Sequence, residues 1–171
     1  MDVILSIKPK FANRIFSGIK KYEFRKTIFR REVNRVFLYE TTPVGKITGY
    51  FRYRRILKGT PEEIWSICQK YAGISEREFF QYYSKSKLAY AIEVEEVIRF
   101  KRMMDLKESF NIMTPPQSFT YISSINHLPT RIEDFVHPKH LMQEEFFTSL
   151  DTAVVVDKIE TNSYNIREVL E

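Results

Sequence analysis

The segment Gly18-Ile19-Lys20-Lys21-Tyr22-Glu23-Phe24-Arg25 constrains the fold of this chain more than any other. It lies where a helical pattern hands over to a strand pattern, and it places ionic side chains at that crossing. Upstream, Val3-Ile4-Leu5-Ser6-Ile7 is a short apolar run of strand length. Pro9 suits a first helical position, where its missing N–H costs nothing. Phe11, Ala12, Ile15, Phe16 and Ile19 then recur at helical spacing as a core-facing stripe. Gly18 suits a left-handed cap at the helix end. In the strand that follows, Tyr22, Phe24 and Ile28 share one parity, and Lys21, Glu23, Arg25 and Thr27 the other. The first set is expected to pack inward, with Glu23 and Arg25 side by side on the opposite face. Lys20 sits at the turn, where parity is not yet fixed.

The rest of the chain reads as strands interrupted by helices. Residues 33–42 form a strand with the apolar centre Val36-Phe37-Leu38-Tyr39, closed by Pro43. Residues 46–57 form another, with Ile47, Phe51 and Tyr53 on one parity and Thr48, Tyr50, Arg52 and Arg54 on the other. Thr60, Pro61 and Glu63 make a capping box that starts a helix ending near Ala72-Gly73, and Ser75 caps the next, with Glu78 at N3 and Phe79 and Phe80 facing the body. Residues 88–100 return as a long strand whose phase slips at Glu95-Glu96, the mark of a bulge or a bend. Beyond Ser118, Pro129, Glu133-Asp134 and Pro138 punctuate a loop. A helix over 139–150, a strand over 153–159 and a terminal helical turn complete the pattern. Strands and helices without regular βαβ alternation predict an α+β fold: a mixed β-barrel with helices inserted between strands, plus a C-terminal α/β extension.

Size and composition set the outer limits. A chain of 171 residues with 43% hydrophobic and 15% aromatic content builds a core and is not globally disordered. No apolar run approaches the ~20 residues that span a bilayer, and the N-terminus lacks the pattern of a signal peptide. The single cysteine, Cys68, cannot form an internal disulfide, which fits a cytoplasmic setting. With Ile64, Trp65, Tyr71 and Ala72 it forms one helical stripe, so a buried structural thiol is expected. Net charge is strongly uneven. Residues 1–58 carry 15 Lys and Arg against 4 Asp and Glu, a net +11, while residues 59–171 carry 12 against 18, a net −6. Such asymmetry points to a polyanionic partner, although charges spread around a barrel to solvate it give the same count.

The spacing Gly-x-Lys-x-x-Glu-x-Arg at Gly18, Lys20, Glu23 and Arg25 resembles the signature of the ASCH domain, a branch of the PUA-like superfamily. Ile4-Leu5-Ser6-Ile7-Lys8-Pro9, Glu63-Ile64-Trp65 and Pro115-Pro116-Gln117-Ser118 extend the likeness over residues 3–122. The expected domains are therefore 1–122, of ASCH/PUA-like type, and 123–171, an extension packed on it. The resemblance implies a small barrel-like fold with a cleft beside the motif that receives RNA or a modified nucleobase.

On the residues themselves, the expected binding set is Lys20, Lys21, Tyr22, Glu23, Arg25, Tyr50, Arg52 and Arg54. Arginine forks match phosphate oxygens, tyrosines stack on bases, and Glu23 accepts from a base N–H. A surface ion pair between Glu23 and Arg25 is the plainer alternative. A hydrolase on the same cleft is a second reading, with Lys20 and Glu23 as its catalytic groups. Lys20 beside Lys21 has reason for a lowered pKa, and an amine so tuned acts as base or nucleophile. Relatives that resemble amidohydrolases of acylated cytidine carry a threonine where this chain has Glu23, and an acid where it reads Tyr71-Ala72-Gly73-Ile74; ribonuclease activity is the other form that the family resemblance implies. A third reading gives the 123–171 extension a protein partner. No cofactor and no metal site are expected. His137 and His140 flank Pro138, with His127, Glu133 and Asp134 nearby, and a surface or capping role suits them better than zinc. There is no glycine-rich phosphate loop and no serine elbow.

Overall fold

A computed structural model describes residues 1–123 of the chain. The helix expected over 139–150, the strand over 153–159, the terminal turn and the histidine pair lie outside the described residues, as does nearly all of the proposed extension. Strand β1 (Asp2–Ile7) leads into helix α1 (Pro9–Phe16), with Pro9 at its first turn as the sequence indicates. Gly18 then takes φ +74°, the left-handed conformation that releases the chain into β2 (Tyr22–Arg25). Strands β3 (Arg35–Glu40) and β4 (Lys46–Gly59) follow. Thr60 and Glu63 close a reciprocal capping box on α2 (Pro61–Cys68), which tightens into a 3₁₀ turn over Gln69–Tyr71. Ser75 caps α3 (Glu76–Tyr83) by accepting from the Glu78 N–H. Strand β5 (Ala89–Met104), a short α4 (Leu106–Phe110) and β6 (Phe119–Ile122) complete the described part. Among the described residues no helix is long and apolar enough to cross a membrane.

All six strands join one sheet in the order β2-β5-β4-β3-β1-β6. Among the described residues only β1 and β3 run parallel. There the expected barrel is a curled half-barrel: β2 and β6 are its edges and no ladder joins them. The expected bulge is present. Arg52 pairs with Glu96 and Tyr53 with Val94, so Glu95 is the extra residue. A second irregularity, between Tyr53 and Arg55, leaves Arg54 as the extra residue on β4. This breaks the single face that strict alternation assigned to Tyr50, Arg52 and Arg54.

The curl wraps one apolar layer of Val3, Leu5, Ile15, Val36, Leu38 and Phe51 beneath α1. A second layer forms around Ile4, Phe37, Ile47 and Phe110. Helices α2 and α3 seal the third, where Phe24, Ile64, Cys68, Phe79 and Tyr83 meet. Cys68 is fully buried and desolvation pushes its thiol up to about 12, so it stays protonated. Tyr71, expected in the same stripe, is instead on the surface, where the 3₁₀ turn rotates it out of phase with α2. Gly49 marks the closest approach of the sheet to α1. A Cβ there meets the Ile98 carbonyl oxygen and lies 2.8 Å from the Phe16 ring. Gly49→Ala is therefore expected to lower unfolding free energy by about 1–3 kcal/mol, the usual cost of overpacking. Urea denaturation of the two proteins checks this, and equal midpoints refute it.

Candidate functional site

The motif forms a buried ionic trio. Lys20, Glu23 and Arg25 are 2%, 6% and 9% exposed, so the surface ion pair is ruled out as a description of Glu23 and Arg25. The parity argument correctly separates Phe24, packed in the third layer, from Glu23 and Arg25. It does not say what covers the second face, which the curl of the sheet encloses as well.

The two cations of the trio are each held from outside it. Lys20 Nζ donates to the Ala72 carbonyl at 2.9 Å and sits 4.2 Å above the centre of the Phe24 ring. Gly73 makes that possible: at φ +58°, its missing Cβ would collide with the Lys20 stem, with Cα and Cγ at 2.9 Å. Arg25 Nη2 donates to the Ser6 carbonyl at 2.6 Å. Glu23 lies between the two cations, with Oε2 3.8 Å from Lys20 Nζ and Oε1 3.3 Å from Arg25 Nε. These are loose contacts. Arg25 Nε is buried and near Glu23 but finds no hydrogen-bond partner, and Glu23 accepts no hydrogen bond from any described residue.

The trio forms the floor of a cavity of about 550 Å³, within the range of small-molecule sites. Ser6, Phe11, Ile74, Gln81, Tyr82 and Gln117 supply its walls, and Lys10 and Glu78 its rim. The rim pair is in contact at 2.5 Å. That hydrogen bond, with one from Ser75, draws the Glu78 carboxyl down to about 2. The cavity carries bases Lys8, Lys10, Lys20 and Arg25 against acids Glu23 and Glu78, so its positive balance is modest.

Other expected site residues lie elsewhere. Lys21 Nζ rests 4.5 Å over the Tyr71 ring, and Tyr22 packs against the third apolar layer. Tyr50 is wedged between Phe37 and Phe100. Arg52 pairs with Glu96 and lines a separate hollow with Asp2, Arg35 and Ser123. Arg54 lines neither cavity. The physical reason is topological: β5 lies between β2 and β4, so Arg25 and Arg52 are not on neighbouring strands. Sequence reasoning also missed the wall residues Ser6, Phe11, Tyr82 and Gln117. Phe11 was read only as core stripe, and nothing in a linear pattern brings Gln117 to Ser6; the Ser6 N–H bonded to the Ser118 carbonyl does so.

Burial displaces the titration of Lys20. Its pKa falls from 10.5 to about 8, first because burial disfavours the ammonium, while Glu23 opposes and Arg25 and Arg14 add to the fall. The neighbouring Lys21 is not the cause. The unfolded chain binds the Lys20 proton more tightly than the folded one, so stability contributed at this position rises with pH between about 8 and 10.5. Below about 8 the cost of the buried ammonium is fully present. Chemical denaturation of wild type and Lys20→Met across that window should show wild type gaining on the variant as pH rises, and parallel curves would refute the assignment.

A curled mixed sheet with an ionic trio at its open side defines a PUA-like half-barrel domain. The sequence profile of the ASCH domain matches residues 5–112. A relative from Zymomonas mobilis, named ASCH domain-containing ribonuclease, is 30% identical over 124 residues, spanning 71% of this chain and 84% of that protein. The crystal structure of ASCH from Zymomonas mobilis matches with a TM-score of 0.63 at 27% identity, over 82% of this chain and 92% of that one. A crystal structure of a mutant of the same Zymomonas protein matches with a TM-score of 0.64 at 29% identity, over 71% and 90%. The chain belongs to the ASCH domain family.

Proposed function

We propose that this domain, residues 1–122, binds single-stranded RNA or a modified nucleotide with a base inserted among Lys20, Glu23 and Arg25. The carrying observation is the unmet hydrogen-bonding capacity at the cavity floor. Among the described residues Glu23 accepts no hydrogen bond, and Arg25 Nη1 donates none although the residue is nine-tenths buried. Buried polar groups are normally satisfied, and a bound base would supply the missing partners. Phe11 and Tyr82 line the cavity, and stacking on an aromatic ring contributes roughly 1–3 kcal/mol per base, enough to offset unstacking. Lys8 and Lys10 at the rim suit the flanking phosphates. The Zymomonas relative named as a ribonuclease supports a connection with RNA. Binding of RNA by a chain with a lone, buried cysteine agrees with a cytoplasmic setting.

A hydrolase on the same cleft is the second reading, and the Lys20 amine favours it. A pKa near 8 leaves a useful neutral fraction at physiological pH. In RNA cleavage that amine takes the proton of a 2′-hydroxyl as its oxygen attacks the adjacent phosphorus and the 5′-oxygen departs. In deacylation of an N4-acylcytidine the amine either takes a proton from the water that attacks the acyl carbon or attacks that carbon itself, to be freed later by water. In both, the bond from the acyl carbon to N4 breaks and the cytidine amine leaves with a proton. Turnover would then rise with pH through about 8.

Lys20→Met keeps the apolar stem and removes the charge together with the hydrogen bond to the Ala72 carbonyl, so its stability is measured beside its affinity. Fluorescence titration of the folded variant with single-stranded RNA should show at least about a tenfold loss of affinity, as for a charged hydrogen bond. Each phosphate contact should contribute roughly 0.7 to the salt slope. Unchanged RNA affinity in this variant removes the cleft from the proposal. Arg25→Ala is a poorer probe, since the Ser6 contact ties it to the fold. Labelled RNA and N4-acetylcytidine incubated with both proteins test the hydrolase. Product that persists in Lys20→Met would rule out Lys20 as the base.

A further inference from the structure

We infer that the cleft selects an imide edge, and that its preferred base is therefore uracil. This rests on the proposal that the trio receives a base. The floor presents three side chains in a fixed order, with Lys20 on one side of Glu23 and Arg25 on the other, at 3.8 and 3.3 Å. Lys20 spends one of its three protons on the Ala72 carbonyl. Arg25 spends Nη2 on Ser6 and turns its fully buried Nε toward Glu23, leaving Nη1 as the donor without a hydrogen bond to any described residue. Glu23 has both oxygens free of hydrogen bonds. The unused capacity thus runs donor, acceptor, donor.

A complementary base edge must run acceptor, donor, acceptor. Among the four common RNA bases that order belongs to the pairing edge of uracil, with O4, N3–H and O2 in turn. Cytosine presents a donor followed by two acceptors, which sets its N3 lone pair against the Glu23 carboxylate. Adenine likewise places its N1 lone pair at the centre. Guanine matches at O6 and N1–H but brings its 2-amino group toward a cation. Opposed like groups in a buried site cost more than missing contacts, because each leaves a desolvated group unpaired. The guanidinium, anchored at Ser6, has little freedom to move aside. Lys20 is restrained in the same way by Ala72 and Gly73.

The test is a titration of the full chain with oligouridylate, oligocytidylate and oligoadenylate of equal length, and with an oligouridylate methylated at every N3. Uridylate should bind at least about tenfold more tightly than cytidylate, the discrimination of one well-matched edge. N3 methylation, which removes the central donor and leaves charge and stacking intact, should abolish that advantage. Glu23→Gln should reduce the ratio of uridylate to cytidylate affinity toward unity. Uniform binding of all four oligonucleotides, or tighter binding of cytidylate, overturns the uracil inference while leaving the RNA-binding cleft standing. Absence of binding by any of them removes the cleft and this inference together. The methylated probe needs no variant, so a failure of Glu23→Gln to fold does not protect the inference.

Discussion

The hydrogen bond from Arg25 Nη2 to the Ser6 carbonyl turns a sheet into a cleft. Strands β2 and β1 are separated in the sheet by β5, β4 and β3, yet this 2.6 Å contact joins them across the open side of the curl. The contact holds Arg25 against β1 beside Glu23, while the Ala72 carbonyl and the space left by Gly73 hold Lys20 over Phe24. Two cations and one anion in a poorly solvated place are costly, and apolar side chains of similar volume would serve stability at least as well. A bound group that meets the free donors and the free carboxylate would compensate that cost.

Electrostatics redistribute between sequence and fold. The first 58 residues hold a net +11, which reads in one dimension as a strongly positive half. In three dimensions the excess is partly cancelled by acids from later in the chain. Arg52 meets Glu96, Arg55 meets Glu93, Lys46 meets Asp105 and Lys10 meets Glu78. Antiparallel pairing of β4 with β5 brings two of these together. The cavity therefore combines a modest positive balance with a specific ionic arrangement, which suits discrimination of a base better than generic attraction to phosphate.

Local patterns were legible wherever one residue type has one structural use. Pro9, Gly18, the Thr60–Glu63 box and Ser75 each sit where capping chemistry places them. The slip at Glu95 was visible because a bulge breaks period-two alternation in the sequence itself. Helix α4 and strand β6 were not read; each is too short for periodicity to register, and β6 exists only because β1 offers it an edge. The association of Tyr50 and Arg52 with Arg25 failed for a related reason: alternation reports the face of a strand, not which strand lies next to it.

By itself the sequence determined that a helix passes into a strand at Gly18, and that Glu23 and Arg25 share a face opposite Phe24. These follow from backbone conformation and side-chain alternation, which are local. Only the tertiary structure decided that this face is interior, that Lys20 joins it, and that Ser6, Tyr82 and Gln117 come from distant segments to wall it in. Those outcomes depend on strand order and sheet curvature. Both are settled by the packing of the whole domain, since burial of the apolar layers fixes where each strand can lie.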